Sequence, residues 1–393
     1  MSCAPAESRP RGPECRLSRR HDRWPIRELP ARPPPGKGAC PTDGFITDGR
    51  ASEPLEDSIA TSYAVVVSLP SGWKDRGMRI AAITNTFNEP EFLPFWVEHH
   101  GRQVGFRNLF VVTHGADPRP RWLDRRVQVI TMPLDEFDET RRARFMTQLQ
   151  HFLLSSYDWV VMSDADELIV ADPARYSGLR DYLRRNPGVP TFNTVGLNVV
   201  QNRATEAPLQ PGRPLFRQRA YVQFWAHYCK PAVTSVPIVW SVGFHECDRP
   251  RHQTDDLFMI HLRAVDETIA RRRNARLNAL KMSQNAIDKK HSVQFTFDRD
   301  RYLSMLFPSD QALFDRAAAE ADFQAEIGHM RRHPKDLKFI GPIARMPARF
   351  ADSVRLLEGR IGLAGRINRI AHALRRLSRS RPADAVRQDP NPA

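Results

Sequence analysis

Asp164-Ala165-Asp166-Glu167 gathers three carboxylates into four residues, directly after the apolar run Trp159-Val160-Val161-Met162. An apolar run of that kind reads as a buried strand. Side chains two apart on an extended segment face the same way. Asp164 and Asp166 are therefore expected to aim two hard oxygen donors at one spot beyond the strand's end. A divalent cation such as Mn²⁺ or Mg²⁺ needs such donors if it must also hold a diphosphate. The plain alternative is a solvated acidic turn, and an Asp-x-Asp alone does not separate the two.

The elements that must position these residues begin at Met78. Residues 79–84 form a predicted strand, followed by the polar loop Asn85-Thr86-Phe87-Asn88-Glu89-Pro90. Pro90 suits the first turn of a helix, which is expected to run through Phe92, Leu93, Phe95, Trp96 and Val97 to Gly101. Further strands are predicted over 109–113 and 127–132. Asp138 is placed to cap a helix with Phe145, Leu149, Phe152 and Leu153 on its apolar face. Such alternation argues for an α/β fold with a mostly parallel sheet covered on both faces. Ligands of such sheets bind beyond the carboxyl ends of the strands, where the loops 85–89, 113–117 and 164–167 all fall. Short apolar runs at 192–200, 220–225, 233–242 and 257–262 suggest a mixed or antiparallel extension. An Arg-rich helix is expected over 266–287, more helix over 310–334, and a basic amphipathic helix from Val354 to Leu377.

Composition bounds the rest. The chain has 393 residues, 41% of them hydrophobic, which is enough for a globular enzyme and excludes wholesale disorder. The net charge of +14 favours anionic partners: nucleic acid, phosphorylated substrates or an acidic membrane face. Interleaved aromatic and basic repeats of a nucleic-acid binder are not seen. No stretch approaches the ~18–20 apolar residues of a membrane span, and the start lacks the apolar region of a secretory signal. The five cysteines show no metal-ligand spacing and fit a reducing, cytoplasmic setting. The expected organisation is a Pro- and Arg-rich tail over 1–77, a catalytic domain over 78–290, a helical extension over 291–380 and a tail over 381–393. Met78 is itself a candidate start of the functional chain.

The segments TNTFNEPEFLPFWVEHH, DWVVMSDADELIV, CKP, VWSVGFHECD and FMIHLRAVD, in that order, resemble the family 2-type glycosyltransferases. The similarity is to the subgroup with Asn-Glu before a Trp-containing helix, and it spans about residues 78–273. It implies a GT-A type fold, a nucleotide-sugar donor such as a UDP-sugar, and a divalent cation. Asp164 and Asp166 match the family's metal and diphosphate carboxylates, with Glu167 the acid that follows. The loop containing Thr84, Asn85, Asn88 and Glu89 matches the nucleotide-binding turn. Asp117 is the counterpart of an Asp near the base, and His245 and His261 match two downstream histidines that are metal or phosphate contacts.

An inverting transfer, as the resemblance implies, needs a base for the acceptor hydroxyl, and a carboxylate suits it. Glu246, Asp248 and Asp266 are candidates, with Glu246 preferred because Asp266 equally suits a helix N-cap. Lys230 and Arg263 are placed to neutralise phosphate, and Trp225 and Trp240 to stack or to fill the core. Trp96 reads as packing. Asp135, Glu136, Asp138 and Glu139 read as complements of a helix dipole, and Arg141, Arg142 and Arg144 as a solvated face, with one of them a candidate to reach the uracil or phosphate crevice. The expected activity is metal-dependent transfer of a sugar to a hydroxyl of a polysaccharide or glycolipid acceptor. The C-terminal basic helix is a candidate for peripheral contact with the inner membrane face. The alternatives are a nucleotidyltransferase, whose Gly-rich basic loop is not seen at residues 85–90, and a non-catalytic basic binding module.

Overall fold

The computed structural model describes residues 77–114, 119–120, 122–133, 136–317 and 320–355. Asp117, Asp135, the expected N-terminal tail to residue 76, the basic helix beyond residue 355 and the tail over 381–393 lie outside the described residues.

Four strands make a parallel half-sheet in the order β3-β2-β1-β4. They are β1 (Ile80–Thr86), β2 (Leu109–His114), β3 (Gln128–Met132) and β4 (Trp159–Met162). Parallel strands need cover on both faces, and the period-2 alternation of β1 shows how it is supplied. Ile80 and Ala82 pack with α1 (Leu93–Val104) through Leu93, Trp96 and Val97. Ala81 and Ile83 pack with α2 (Glu139–Leu154) through Ala143, Met146 and Leu153. The α1 helix starts later than expected: Pro90 lies in the preceding turn, and Pro94 occupies the first helical turn. Asp138 caps α2 by accepting from Arg141 N at 2.9 Å, as its position in the sequence implies. Phe152, expected on the buried face of α2, is instead 73% exposed.

Beyond β4 the pairing turns antiparallel through β8 (Pro231–Thr234), β6 (Thr191–Val200), β7 (Tyr221–Trp225) and β10 (Ile340–Arg345). The strand β5 (Glu167–Ala171) pairs antiparallel with β9 (His252–Ala264), which runs parallel to β6. The strand expected over 233–242 stops at Thr234, and Trp240 then forms an isolated bridge with Cys247. The single helix expected over 266–287 is two, α4 (Glu267–Leu277) and α5 (Gln284–Asp288). Residues 291–355 add α6 (Arg299–Leu306), α7 (Gln311–Asp315) and α8 (Gln324–Arg332). They are not purely helical, since they also supply β10 at the sheet edge.

One glycine shapes the site. A Cβ on Gly196 of β6 would lie 2.5 Å from the Tyr228 carbonyl carbon and 2.6 Å from the Trp225 oxygen. Only a residue without a side chain lets the short helical turn Ala226–Tyr228 settle on β6.

Candidate active site

The acidic stretch is a tight turn joining β4 to β5, not a continuation of the strand. Glu167 N donates to Asp164 O at 2.9 Å, and Asp164 N donates back to Glu167 Oε2 at 2.9 Å. From beneath, Trp96 Nε1 donates to Ser163 Oγ at 2.8 Å, and Ser163 Oγ donates to the Glu167 carbonyl at 3.1 Å. Asp164 and Asp166 therefore reach the same cleft by a chain reversal, where strand alternation was expected. The cleft holds about 610 Å³, within the usual range for a ligand pocket. It opens at the carboxyl ends of β1 and β4, the place that sheet topology favours for ligands.

Each carboxylate of the turn meets cations delivered by distant elements. Asp164 pairs with Arg142 of α2 at 3.0 Å and with Lys230 at 3.1 Å. Lys230 also pairs with Glu167 at 2.7 Å. Asp166 Oδ2 lies 2.5 Å from Arg273 of α4 and 3.4 Å from His261 Nε2 of β9. Glu89, in the loop after β1, is held by Arg273 at 3.2 Å and Arg276 at 2.6 Å. Burial raises the Asp164 carboxyl, but the Lys230 ammonium and Arg142 guanidinium outweigh it and hold the group at about 2. The same contest, settled by Arg273 and His261, puts Asp166 well below the usual carboxylate range. Burial wins at Glu167, pushing it up to about 7 despite Lys230, and it raises Glu89 as well.

The donor set at Asp166 fits a divalent cation. His261 Nδ1 donates to Asn198 Oδ1 at 2.9 Å, which leaves Nε2 with a lone pair. Burial lowers the His261 pKa, favouring that neutral form, and Tyr228 stacks on the ring at 3.8 Å. A neutral imidazole nitrogen and a carboxylate oxygen are both acceptors that a cation can share, and in this structure the cation on Asp166 Oδ2 is the Arg273 guanidinium at 2.5 Å. Among the described residues no group of three or more His, Cys, Asp or Glu side chains is placed to hold a metal ion. Two protein ligands and an open face are the arrangement suited to a cation shared with substrate phosphates.

The other expected site residues divide. Asn85 and Thr86 line the cleft, and Asn85 Nδ2 and Thr86 Oγ1 are buried with no protein partner. Asn85 Oδ1 accepts from Arg142 at 2.8 Å. Thr84 is buried in β1 and is not among the lining residues, and Asn88 is exposed and also outside the lining. His245 lines the cleft, its Nδ1 donating to the His227 carbonyl at 2.8 Å. Burial, with Lys230 and His227 nearby, lowers it to about 3. Among the described residues no carboxylate lies within ion-pair distance of His245. Trp225 lines the cleft, whereas Trp240 is core and donates to the Pro231 carbonyl at 3.0 Å.

Neither preferred base faces the cleft. Glu246 is 41% exposed and lies 3.6 Å from Arg251. Asp266 caps α4 through Ile269 N at 3.1 Å, accepts from Leu209 N at 2.8 Å and pairs with buried Arg219 at 3.1 Å. Asp248 braces a loop by accepting from Val239 N at 2.7 Å. Of the three arginines weighed between a solvated face and the crevice, Arg142 reaches the cleft, and Glu139 is buried against it at 2.7 Å where a complement of the helix dipole was expected.

Sequence reasoning passed over Arg273, Tyr228 and the segment 290–295, all of which line the cleft. The last of these belongs to the stretch assigned beyond the catalytic domain, yet Ser292 Oγ donates to Glu139 Oε1 at 2.6 Å across the cleft. A legible signal existed for Arg273: with Arg276 it stands three apart on one helix face, which is how a helix presents two cations together.

No family model matches this sequence, and no curated protein matches it. Among solved structures, the chain is similar to the crystal structure of S. aureus TarS at 9% identity and a TM-score of 0.26, covering 61% of this chain and 46% of that one. It thus spans less than half of the TarS chain. It is also similar to the CMP:2-keto-3-deoxy-manno-octonic acid synthetase complexed with CTP, at 11% identity and a TM-score of 0.22, covering 58% of this chain and 85% of that one.

Proposed function

We propose that the protein is a metal-dependent glycosyltransferase that moves a sugar from a nucleotide-diphosphate donor, a UDP-sugar, to a hydroxyl of a carbohydrate or glycolipid acceptor, with inversion. One observation carries this reading: the turn at Asp164-Ala165-Asp166-Glu167 opens into a cleft at the carboxyl ends of the parallel strands, with His261 Nε2 set 3.4 Å from Asp166. Asp166 and His261 would hold Mn²⁺ or Mg²⁺, which when bound supplies Lewis-acid stabilisation of the negative charge growing on the leaving diphosphate. Arg142, Lys230, Arg263 and Arg273 line the same cleft and suit a diphosphate. Arg263 Nη2 is buried without a partner, and among the described residues no carboxylate pairs with this guanidinium. The unpartnered polar atoms of Asn85 and Thr86 suit the nucleoside, and half-buried Trp225 suits stacking on a flat or apolar ring face.

The test is thermal shift of the full chain with UDP, with and without Mn²⁺, beside a screen of nucleotide-sugars for metal-dependent hydrolysis. Stabilisation by UDP that requires Mn²⁺ is the expected result. In D166N it is expected to vanish, with turnover down at least about a hundredfold and the circular dichroism spectrum unchanged. Full turnover in D166N, or stabilisation by oligonucleotide alone, overturns the reading.

A further inference from the structure

We propose that Arg273 is a resident counter-cation that competes with a divalent cation for Asp166 Oδ2, and so makes the binding of metal and of substrate diphosphate depend on each other. The inference rests on the function proposed above. The oxygen that faces His261 Nε2 at 3.4 Å is the same Oδ2 that accepts from Arg273 Nη1 at 2.5 Å. A guanidinium and a metal ion both seek the same lone pairs, and two cations on one carboxylate oxygen repel one another. Arg273 is also not free to leave. Its Nε is anchored on Glu89 Oε2 at 3.2 Å, and its guanidinium lies 5.1 Å from the centre of the Phe92 ring.

Metal at Asp166 therefore leaves Nη1 in the cleft, only 13% of the side chain being exposed, without its carboxylate. A buried guanidinium in that position needs another anion. The neighbouring Arg263 is a second cation, and Glu89 already meets Arg273 at Nε, so among the described residues no carboxylate other than Asp166 stands at Nη1. A diphosphate supplies that anion, and a planar fork binds it well. Arg273 thus weakens binding of metal alone and strengthens binding of metal with nucleotide, and by linkage metal tightens nucleotide by the same factor. Arg276, one turn along α4, provides the contrast: it pairs with Glu89 and Glu91, each at 2.6 Å, and not with Asp166.

The experiment titrates the full chain with Mn²⁺, following free Mn²⁺ by electron paramagnetic resonance, with and without UDP. R273M is expected to bind Mn²⁺ alone about tenfold more tightly than the wild type, and to lose the tightening that UDP produces. R273Q, which keeps a good helix former at that position, must agree. R276M is expected to leave the affinity for Mn²⁺ alone unchanged. An R273M affinity no tighter than wild type overturns the proposal, as does equal tightening in R276M, which would mark a general effect of cleft charge. UDP-dependent Mn²⁺ binding by the wild type with an unaltered R273M overturns the role of Arg273 only. Absence of Mn²⁺ binding in every variant, with or without UDP, overturns this and the transferase reading together.

Discussion

Residue by residue, the cleft is a set of carboxylates each held by a named cation, and the pairing decides what each group can do. Asp164 and Asp166 stay ionised because Lys230, Arg142 and Arg273 outweigh the penalty of burial. A base must have a lone pair free and within reach of its proton. Asp266 is not within that reach: it is outside the cleft lining and accepts from Ile269 N, Leu209 N and Arg219. Glu246 faces solvent and Arg251. E246Q is accordingly expected to keep its catalytic rate within about threefold of wild type, as a substitution removing no contact to the reacting atoms. Steady-state turnover with the preferred nucleotide-sugar checks this, and a loss of two orders of magnitude would restore Glu246 as the base.

Among the elements, two matter beyond the acidic turn. The α4 helix carries Arg273 and Arg276 on one face and so ties the loop after β1 to the turn after β4. The short turn Ala226–Tyr228 brings Tyr228 against His261, and it can do so only because β6 has a glycine beneath it. G196A inserts a methyl group where backbone atoms stand 2.5–2.6 Å away. Overpacking of that kind costs about 1–3 kcal/mol, and the strain falls on the turn that holds the His261 ring. Urea unfolding of G196A should show that loss together with weaker Mn²⁺-dependent stabilisation by UDP. An unchanged midpoint would mean that the turn is less closely seated on β6. Much of this level was legible beforehand: apolar periodicity marks β1, β2, β4 and α2, and Asp138 marks the start of α2. The errors fell where a local pattern meets a tertiary choice. Phe152 reads as part of an apolar stripe, yet it falls on the outer face of α2 with exposed Arg144 and Gln148, while its neighbour Leu153 is buried. The apolar run 236–242 reads as strand, but it leaves the sheet at Thr234 to pack over α2, with Gln150 Nε2 donating to the Val236 carbonyl at 2.8 Å.

For the molecule as a whole, two half-buried histidines contribute to its response to acid. Burial lowers His99 to about 4 and His245 to about 3, against about 6.5 in an unfolded chain. At these two histidines the unfolded state binds more protons than the native state below pH 6.5, so their contribution rises with pH in that window, whereas Glu167, raised to about 7, contributes in the opposite sense. The contribution is whole above about pH 6.5 and is lost progressively as pH falls toward 4 and then 3. At pH 5 the loss is about 1–2 kcal/mol for each such histidine. Thermal unfolding followed from pH 8 to pH 5 should show the midpoint of H99Q falling less, or rising more, than that of the wild type. A pH slope in H99Q equal to that of the wild type contradicts the assignment. Among the described residues no helix is long and apolar enough to cross a membrane.

Sequence alone determined the chemistry on offer: three acids after a buried strand, histidines downstream, and alternation that makes a parallel half-sheet. These are local facts, because period and turn composition are written within a few residues of one another. Only the tertiary structure decided which groups meet. Asp166 and Arg273 are 107 positions apart, and Asp164 and Lys230 are 66 apart. Strand order places β8 beside β4 and β9 beside β5, bringing Lys230 and His261 to the turn while leaving Glu246 outside it. Strand order is settled by the packing of the whole sheet, and no single segment's pattern contains it.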